Sequence, residues 1–236
     1  MIKRYGIYSL KRKVKYKKKI IFYITTYQTP HFEFNFDFFN KNKENYSEII
    51  FVDLTENCTY RHDYLWRNYS DFPTNLSRKI RNGIIKKIYL RHFLKKNNYI
   101  HNSIKLKSKN NLKICQTDLK KILTTYCSTE FKSLKIIHNK YTPLITSDIK
   151  FLFSANTEFI KLMKFRKSDH FVIFNGRLPL EQTIKLSLNK MGYKKLFFHE
   201  CNQFKNNVFY LTHSPHDLSK FSKLILDFNV INKNHI

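Results

Sequence analysis

A carboxylate held beside an imidazole can take a proton from a hydroxyl, and a guanidinium can hold a phosphate or carboxylate through two parallel hydrogen bonds. The sequence offers such groups at three places, each just after an apolar run. His31 and Glu33 follow Ile20–Thr25 (IIFYIT), Asn175 and Arg177 follow Phe171–Phe174 (FVIF), and His199 and Glu200 follow Leu196–Phe198 (LFF). Taken singly, each residue has a structural reading: Asn175 closes a turn, Arg177 pairs with Glu200, and His31 caps a helix. Taken together at one edge, they would form a site where a carboxylate, Glu33 or Glu200, acts as general base toward a hydroxyl. Arg177 could then hold a phosphate or carboxylate bidentately.

Other chemistries find no residues to carry them. No GxGxxG or GxxxxGK[ST] cradle exists, and the chain has only 4 glycines. HExxH, GxSxG and an acidic triplet for a metal pair are also missing. Cys58, Cys115, Cys127 and Cys201 have no CxxC spacing, which argues against a zinc site or a disulfide framework and for a reducing compartment. The expectation is therefore a chain that binds no metal or redox cofactor of its own. Ile20–Ile24 is too short to span a bilayer, so the chain reads as cytoplasmic, or peripheral at the inner face of a membrane.

The elements that must position these residues centre on Phe171–Glu200. FVIF is a short apolar run suited to a parallel strand covered on both faces. Asn175-Gly176 ends it with a pair that tolerates positive φ. Leu180, Ile184, Leu188 and Met191 recur as one helical stripe, and Gly192 stands where a helix C-cap takes the left-handed conformation. LFF supplies a second strand. The result is a β-α-β unit whose strands end on Asn175 and on His199-Glu200, the edge at which open α/β sheets bind ligands.

Toward the N-terminus, IIFYIT and Glu48–Leu54 (EIIFVDL) read as two further strands around a short segment that Thr29-Pro30 would open as a helix. The alternation of Phe32, Phe34 and Phe36 would equally suit a strand there. Further helices are expected from about Leu76 to Phe93, over Thr117–Ser128 with Thr117 as cap, and over Asp148–Met163. Ser133–His138 and Val208–Leu211 read as extended, and Ser214-Pro215 starts a last helix. The fold class is α/β, a doubly wound and mostly parallel Rossmann-like sheet. Residues 1–19 are expected to be a basic tail, 20–236 the Rossmann-like domain, and 72–117 a basic helix and loop excursion, with 97–115 a flexible Lys- and Asn-rich loop.

At 236 residues, 42 % hydrophobic and 16 % aromatic, the chain can fold around a sizeable core. Its net charge of +27 would attract nucleic acid, anionic lipid or phosphorylated ligands. Lysine outnumbers arginine 35 to 9, a bias that compositional drift also produces. The tail at 1–19 holds nine Lys or Arg and no acid, which suits a solvated tail or an anchor on an anionic membrane. Between Phe72 and Thr117 twelve basic residues and no acidic one occur among Tyr and Phe, so a basic nucleic-acid-binding protein is the rival reading.

Three segments together resemble bacterial capsule polysaccharide biosynthesis proteins. They are IIFYITTYQTPHFEFN with EIIFVDL, then FNGRLPLEQTIKLSLNKMGYKKLFFHE, then FYLTHSPHDL. They cover the beginning and the last third of the chain. The family resembles glycosyltransferases of two Rossmann-like domains, with acceptor and donor in the cleft between them. The resemblance implies sugar transfer from a nucleotide-sugar donor to a glycan acceptor, with His31, Glu33, Asn175, Arg177, His199 and Glu200 on the cleft wall. Family members have a glycine soon after the (H/Y)E pair, where this chain has Cys201-Asn202-Gln203. The chain also stops where a donor domain should begin. It is therefore expected to be an acceptor-side half, truncated and inactive alone, needing a separate donor-binding domain or protein. A third reading, a purely structural partner of such a protein, calls for an exposed apolar docking patch.

Overall fold

A computed structural model describes residues 2–13, 18–24, 40–53, 90–107, 113–130, 142–174, 176, 179–202 and 207–211. Seven strands are described: β1 (Ile2–Lys11), β2 (Lys19–Ile24), β3 (Glu48–Asp53), β4 (Ile100–Lys107), β5 (His170–Phe174), β6 (Leu196–Asn202) and β7 (Asn207–Leu211). They form one sheet in the order β4-β1-β3-β2-β5-β6-β7. The central strands β3, β2, β5 and β6 are mutually parallel, while β1 runs antiparallel to β3 and β4, and β7 runs antiparallel to β6. The architecture is thus α/β with a mixed sheet. Three helices are labelled here: α1 (Gln116–Glu130), α2 (Thr142–Met163) and α3 (Pro179–Lys190).

The central strands are apolar on both faces because both faces are covered. On one face Ile21, Tyr23, Ile50, Phe171 and Ile173 pack with Phe159 of α2 and with Ile184 and Leu188 of α3. On the other, Phe22, Phe51 and Val172 pack with Leu90 and Leu94 from a helical stretch at 90–96. Phe22 and Phe51 stack at 5.0 Å between centroids, and Phe171 meets the edges of Phe165 and Tyr193 at 5.4 and 5.0 Å. Each of these buried aromatic side chains contributes roughly 1.5–3 kcal/mol by leaving water.

The β-α-β unit forms as its pattern predicts: β5, α3 and β6, with the two strands parallel neighbours. Gly176 has φ +70 and Gly192 has φ +76. Gly192 N–H bonds Asn189 O at 2.9 Å and Tyr193 N–H bonds Leu188 O at 3.0 Å, the paired bonds of a left-handed helix cap. The strands expected at 20–25, 48–54 and 208–211 are present as β2, β3 and β7. The helix expected over Asp148–Met163 starts six residues earlier, at Thr142.

Two expectations are overturned. Residues 2–11 are not part of a basic tail but an interior strand, paired with β3 on one side and β4 on the other. Tyr5 and Ile7 enter one core face and Tyr8 the other, and the lysines around them masked that pattern. Residues 100–107, placed in a loop within the 72–117 excursion, are β4. Leu106 is buried and Ile104 half-buried on the side facing α2, while Lys105 is exposed, which is the alternation of a strand with one wet face. The segments expected at 29–39, 76–89 and 133–138, and the helix expected after Ser214, lie outside the described residues.

One carboxylate ties the sheet's centre together. Asp169, wholly buried, accepts the Lys19 N–H at 2.9 Å and the Arg166 N–H at 2.7 Å, joining the first residue of β2 to the turn that leads into β5. Replacing it leaves two backbone donors without their acceptor. Asp169→Ala is expected to lower unfolding stability by about 2–4 kcal/mol, read as a shift in the urea midpoint.

Candidate functional site

The chain leaves β2 toward β3 on one side, whereas β6 follows β5 on the other, so the carboxyl ends of β2 and β5 meet at a topological switch point. The β2–β5 ladder runs from Ile20–His170 to Phe22–Val172, although β2 continues to Ile24 and β5 to Phe174. Tyr23, Ile24 and Ile173, beyond the last paired position, are buried.

Of the residues singled out from sequence, His199 does not end its strand as expected: it stands in the middle of β6, level with the last residue of β5, and β6 runs on to Asn202 paired with β7. His199 is 2 % exposed, opposite Phe174 on β5 and Tyr210 on β7, with its ring 5.4 Å from that of Phe174. This closely packed setting favours a wall residue over a proton shuttle open to solvent. Of Glu200 only the backbone is described: it continues β6 opposite Phe209. His31, Glu33, Asn175 and Arg177 lie outside the described residues.

Two buried carboxylates at the same edge were not among the residues singled out. Asp53 ends β3, wholly buried, facing Gly6 of β1 and Ile24 of β2. A Cβ on Gly6 would come within 3.3 Å of the Asp53 Cβ, so glycine leaves the room this acid occupies. Strand alternation puts Asp53, Phe174 and His199 on one face of the sheet, that of Phe51, Val172 and Phe197. Glu181 is buried in the first turn of α3, where the peptide dipoles favour a carboxylate. Asp53 had a signal, an acid closing an apolar strand. Glu181 carries no signal in the sequence beyond that of a first-turn acid.

From Gly176 a groove of about 730 Å³ runs outward between α1 and α3. Gln182 Nε2 donates to Thr125 Oγ1 at 3.1 Å and Lys190 Nζ to the Lys113 carbonyl at 3.1 Å, so the two helices lie antiparallel along it. Lys121, Lys185, Thr124, Gln182 and Asn189 line it, and Asp118 is its one acid among the described residues. Such a wall offers ammonium groups, hydroxyls and amides in quantity, the inventory that hydrogen-bonds a polyhydroxylated or phosphorylated ligand.

Burial pushes the Tyr23 hydroxyl far above its usual range; Asn156 pulls it partly back and Tyr193 adds to the rise. Burial does the same at Tyr99, offset in part by Arg12. The aromatics Phe93 and Tyr99 of the basic stretch 72–117 turn into the core rather than toward solvent, so they form no stacking platform for bases. No group of three or more His, Cys, Asp or Glu placed to hold a metal occurs among the described residues.

At the start of α1 the helix is capped by Cys115 rather than by Thr117, since the Leu119 N–H bonds Cys115 O at 3.0 Å. The exposed thiol lies 3.0 Å from the Thr117 hydroxyl; that contact, then the backbone N–H groups of Asp118 and Thr117, hold it below its ordinary 9.0. The pH profile of Cys115 alkylation by iodoacetamide should therefore have its midpoint below 9.0, and Thr117→Val should move it upward.

At the opposite edge, His170 Nδ1 lies 3.0 Å from the Tyr46 hydroxyl. Burial lowers its pKa from 6.5, and the positive charges of Lys18 and Lys195 lower it further, against a smaller opposing effect of Asp169. The unfolded chain then takes up this proton first. The folded state keeps its full stability above pH 6.5 and loses it as pH falls through the lower folded value. Urea midpoints should drop below that pH in the parent chain and show a smaller drop in His170→Gln.

No protein-family model matches the chain, and neither a curated protein sequence nor a solved structure does so.

Proposed function

We propose that this chain is the acceptor-side domain of a nucleotide-sugar glycosyltransferase of the capsule-polysaccharide kind, completed by a donor-binding domain or protein. The observation that carries the reading is the groove of hydroxyls, amides and ammonium groups that begins at Gly176, beside the carboxyl end of β5 and the topological switch point. Sugars are held by just such arrays, carboxylates accepting from hydroxyls and amides bonding both ways. The resemblance of the flanking segments supplies the reaction class.

In that reaction an acceptor hydroxyl oxygen forms a bond to the donor's anomeric carbon. The bond from that carbon to the phosphate oxygen breaks, and the nucleoside diphosphate leaves with the electron pair. The hydroxyl proton passes to a carboxylate, for which Glu33 and Glu200 are the proposed bases, with Arg177 steadying the departing anion.

The test is binding rather than turnover, since the donor half is a separate requirement. Oligosaccharides and sugar phosphates titrated into the chain by calorimetry should bind, and Gln182→Ala with Lys185→Ala should weaken them by about tenfold, the loss of one or two hydrogen bonds to a charged or polar ligand. Absence of any saccharide binding, or saccharide binding that ignores both substitutions, would overturn the reading.

A further inference from the structure

The edge of the sheet opposite the switch point carries a charge pattern that sugar transfer does not use. Here β2, β3, β5 and β6 begin and β1 ends. The connections at this edge read KRK at 11–13, KFRK at 164–167, and KK at both 95–96 and 194–195, with Lys18 before β2. All of these basic residues are exposed except Arg12, which is half-buried. The acids nearby are already engaged. Glu44 pairs with Arg12 at 3.3 Å, Glu48 with Lys19 at 2.6 Å, and Asp169 is buried on backbone N–H groups. The positive field reaches the half-buried His170, where Lys18 and Lys195 both oppose protonation.

A second feature selects among anionic partners. Ile100, 63 % exposed, and Leu162, 58 % exposed, are the large hydrophobic side chains left in solvent among the described residues. Both stand at this edge: Ile100 opens β4 just after Lys95-Lys96, and Leu162 lies in the last turn of α2, between Lys161 and Lys164. Nucleic acid is gripped by guanidinium forks and by aromatic faces on which bases stack. The charge here is almost entirely lysine, and Tyr46, Tyr99, Phe165 and Tyr193 at this edge are buried. An anionic bilayer is matched by the combination present, ammonium groups at headgroup level with aliphatic side chains reaching past them.

We propose that the strand-start edge of the sheet docks on an anionic lipid surface, through its lysine-rich turns and shallow insertion of Ile100 and Leu162. Strands of five or six residues put the carboxyl ends of β2 and β5 about 20 Å away at the far edge, facing out from the bilayer.

The test uses the full chain and sucrose-loaded vesicles of phosphatidylcholine, alone or mixed with phosphatidylglycerol. Sedimentation with the mixed vesicles only, weakening as salt rises, is the expected result. Charge reversal at Lys95, Lys96, Lys194 and Lys195 (each →Glu) should reduce binding by tenfold or more, and Ile100→Ser with Leu162→Ser by about threefold to tenfold. A Leu162→Trp variant covers the case in which those variants lose stability: brominated phosphatidylglycerol should quench its added fluorescence. Failure to bind mixed vesicles overturns the proposal, as does binding indifferent to Ile100 and Leu162 with no quenching of the new tryptophan. So does tighter binding to single- or double-stranded DNA than to vesicles, abolished by the same lysine reversals, which would assign the edge to nucleic acid.

Discussion

The structure depends on a clamp at the foot of its two central strands. Asp169, itself buried, receives the Lys19 and Arg166 backbone N–H groups. That carboxylate sits where the β2–β5 ladder begins, and this ladder alone joins β4-β1-β3-β2 to β5-β6-β7 in the described sheet. Around it, Phe165, Phe171 and Tyr193 pack edge to face, and the Tyr193 hydroxyl donates to the Phe165 carbonyl at 2.8 Å. Polar and aromatic contacts thus converge on the same few residues. Charged acceptors of backbone N–H are worth more than neutral ones, which suits a joint that must hold without a long ladder.

Above the clamp, the strands run two residues past their last paired position, Phe22–Val172, and Tyr23, Ile24 and Ile173 there are buried. The polar residues buried at that end, Asp53 and His199, sit on the neighbouring strands β3 and β6. The groove between α1 and α3 adds a surface that depends on helix packing rather than on the sheet. The two edges of one sheet consequently differ in kind, one carrying acids and hydrogen-bonding groups, the other lysines and bare aliphatics.

How much of this was legible beforehand depended on contrast in the local pattern. The β5-α3-β6 unit was readable because its strands are unbroken apolar runs and its glycines fall where φ is positive. β1 and β4 were not, because Tyr5, Ile7, Ile104 and Leu106 are isolated between lysines and polar residues, and a period of two is easily lost in a charged segment. The cap of α1 was misplaced from Cys115 to Thr117, since both side chains can accept from a helix start and only the carbonyl bonding tells them apart. His199, expected at a strand end, lies in the middle of β6, because pairing with β7 carries that strand on to Asn202; its enclosure by Phe174 and β7 is not something local reading reveals. The groove was invisible in the sequence, because nothing within α1 encodes α3 as its neighbour.

The position of β2 also sets the order in which the protein can be made. Its partner β3 follows within thirty residues, but β5 is separated from it by some 150, and β1 likewise waits for β4 across nearly a hundred. A chain emerging from the ribosome at about 5–20 residues per second would hold the wholly apolar edge of β2 unpaired for several seconds or longer. Such high contact order slows folding and leaves a sticky strand edge in the meantime. During synthesis, the centre of the finished sheet is its most vulnerable part, and a chaperone that shields β2 would serve this protein more than one that shields its ends.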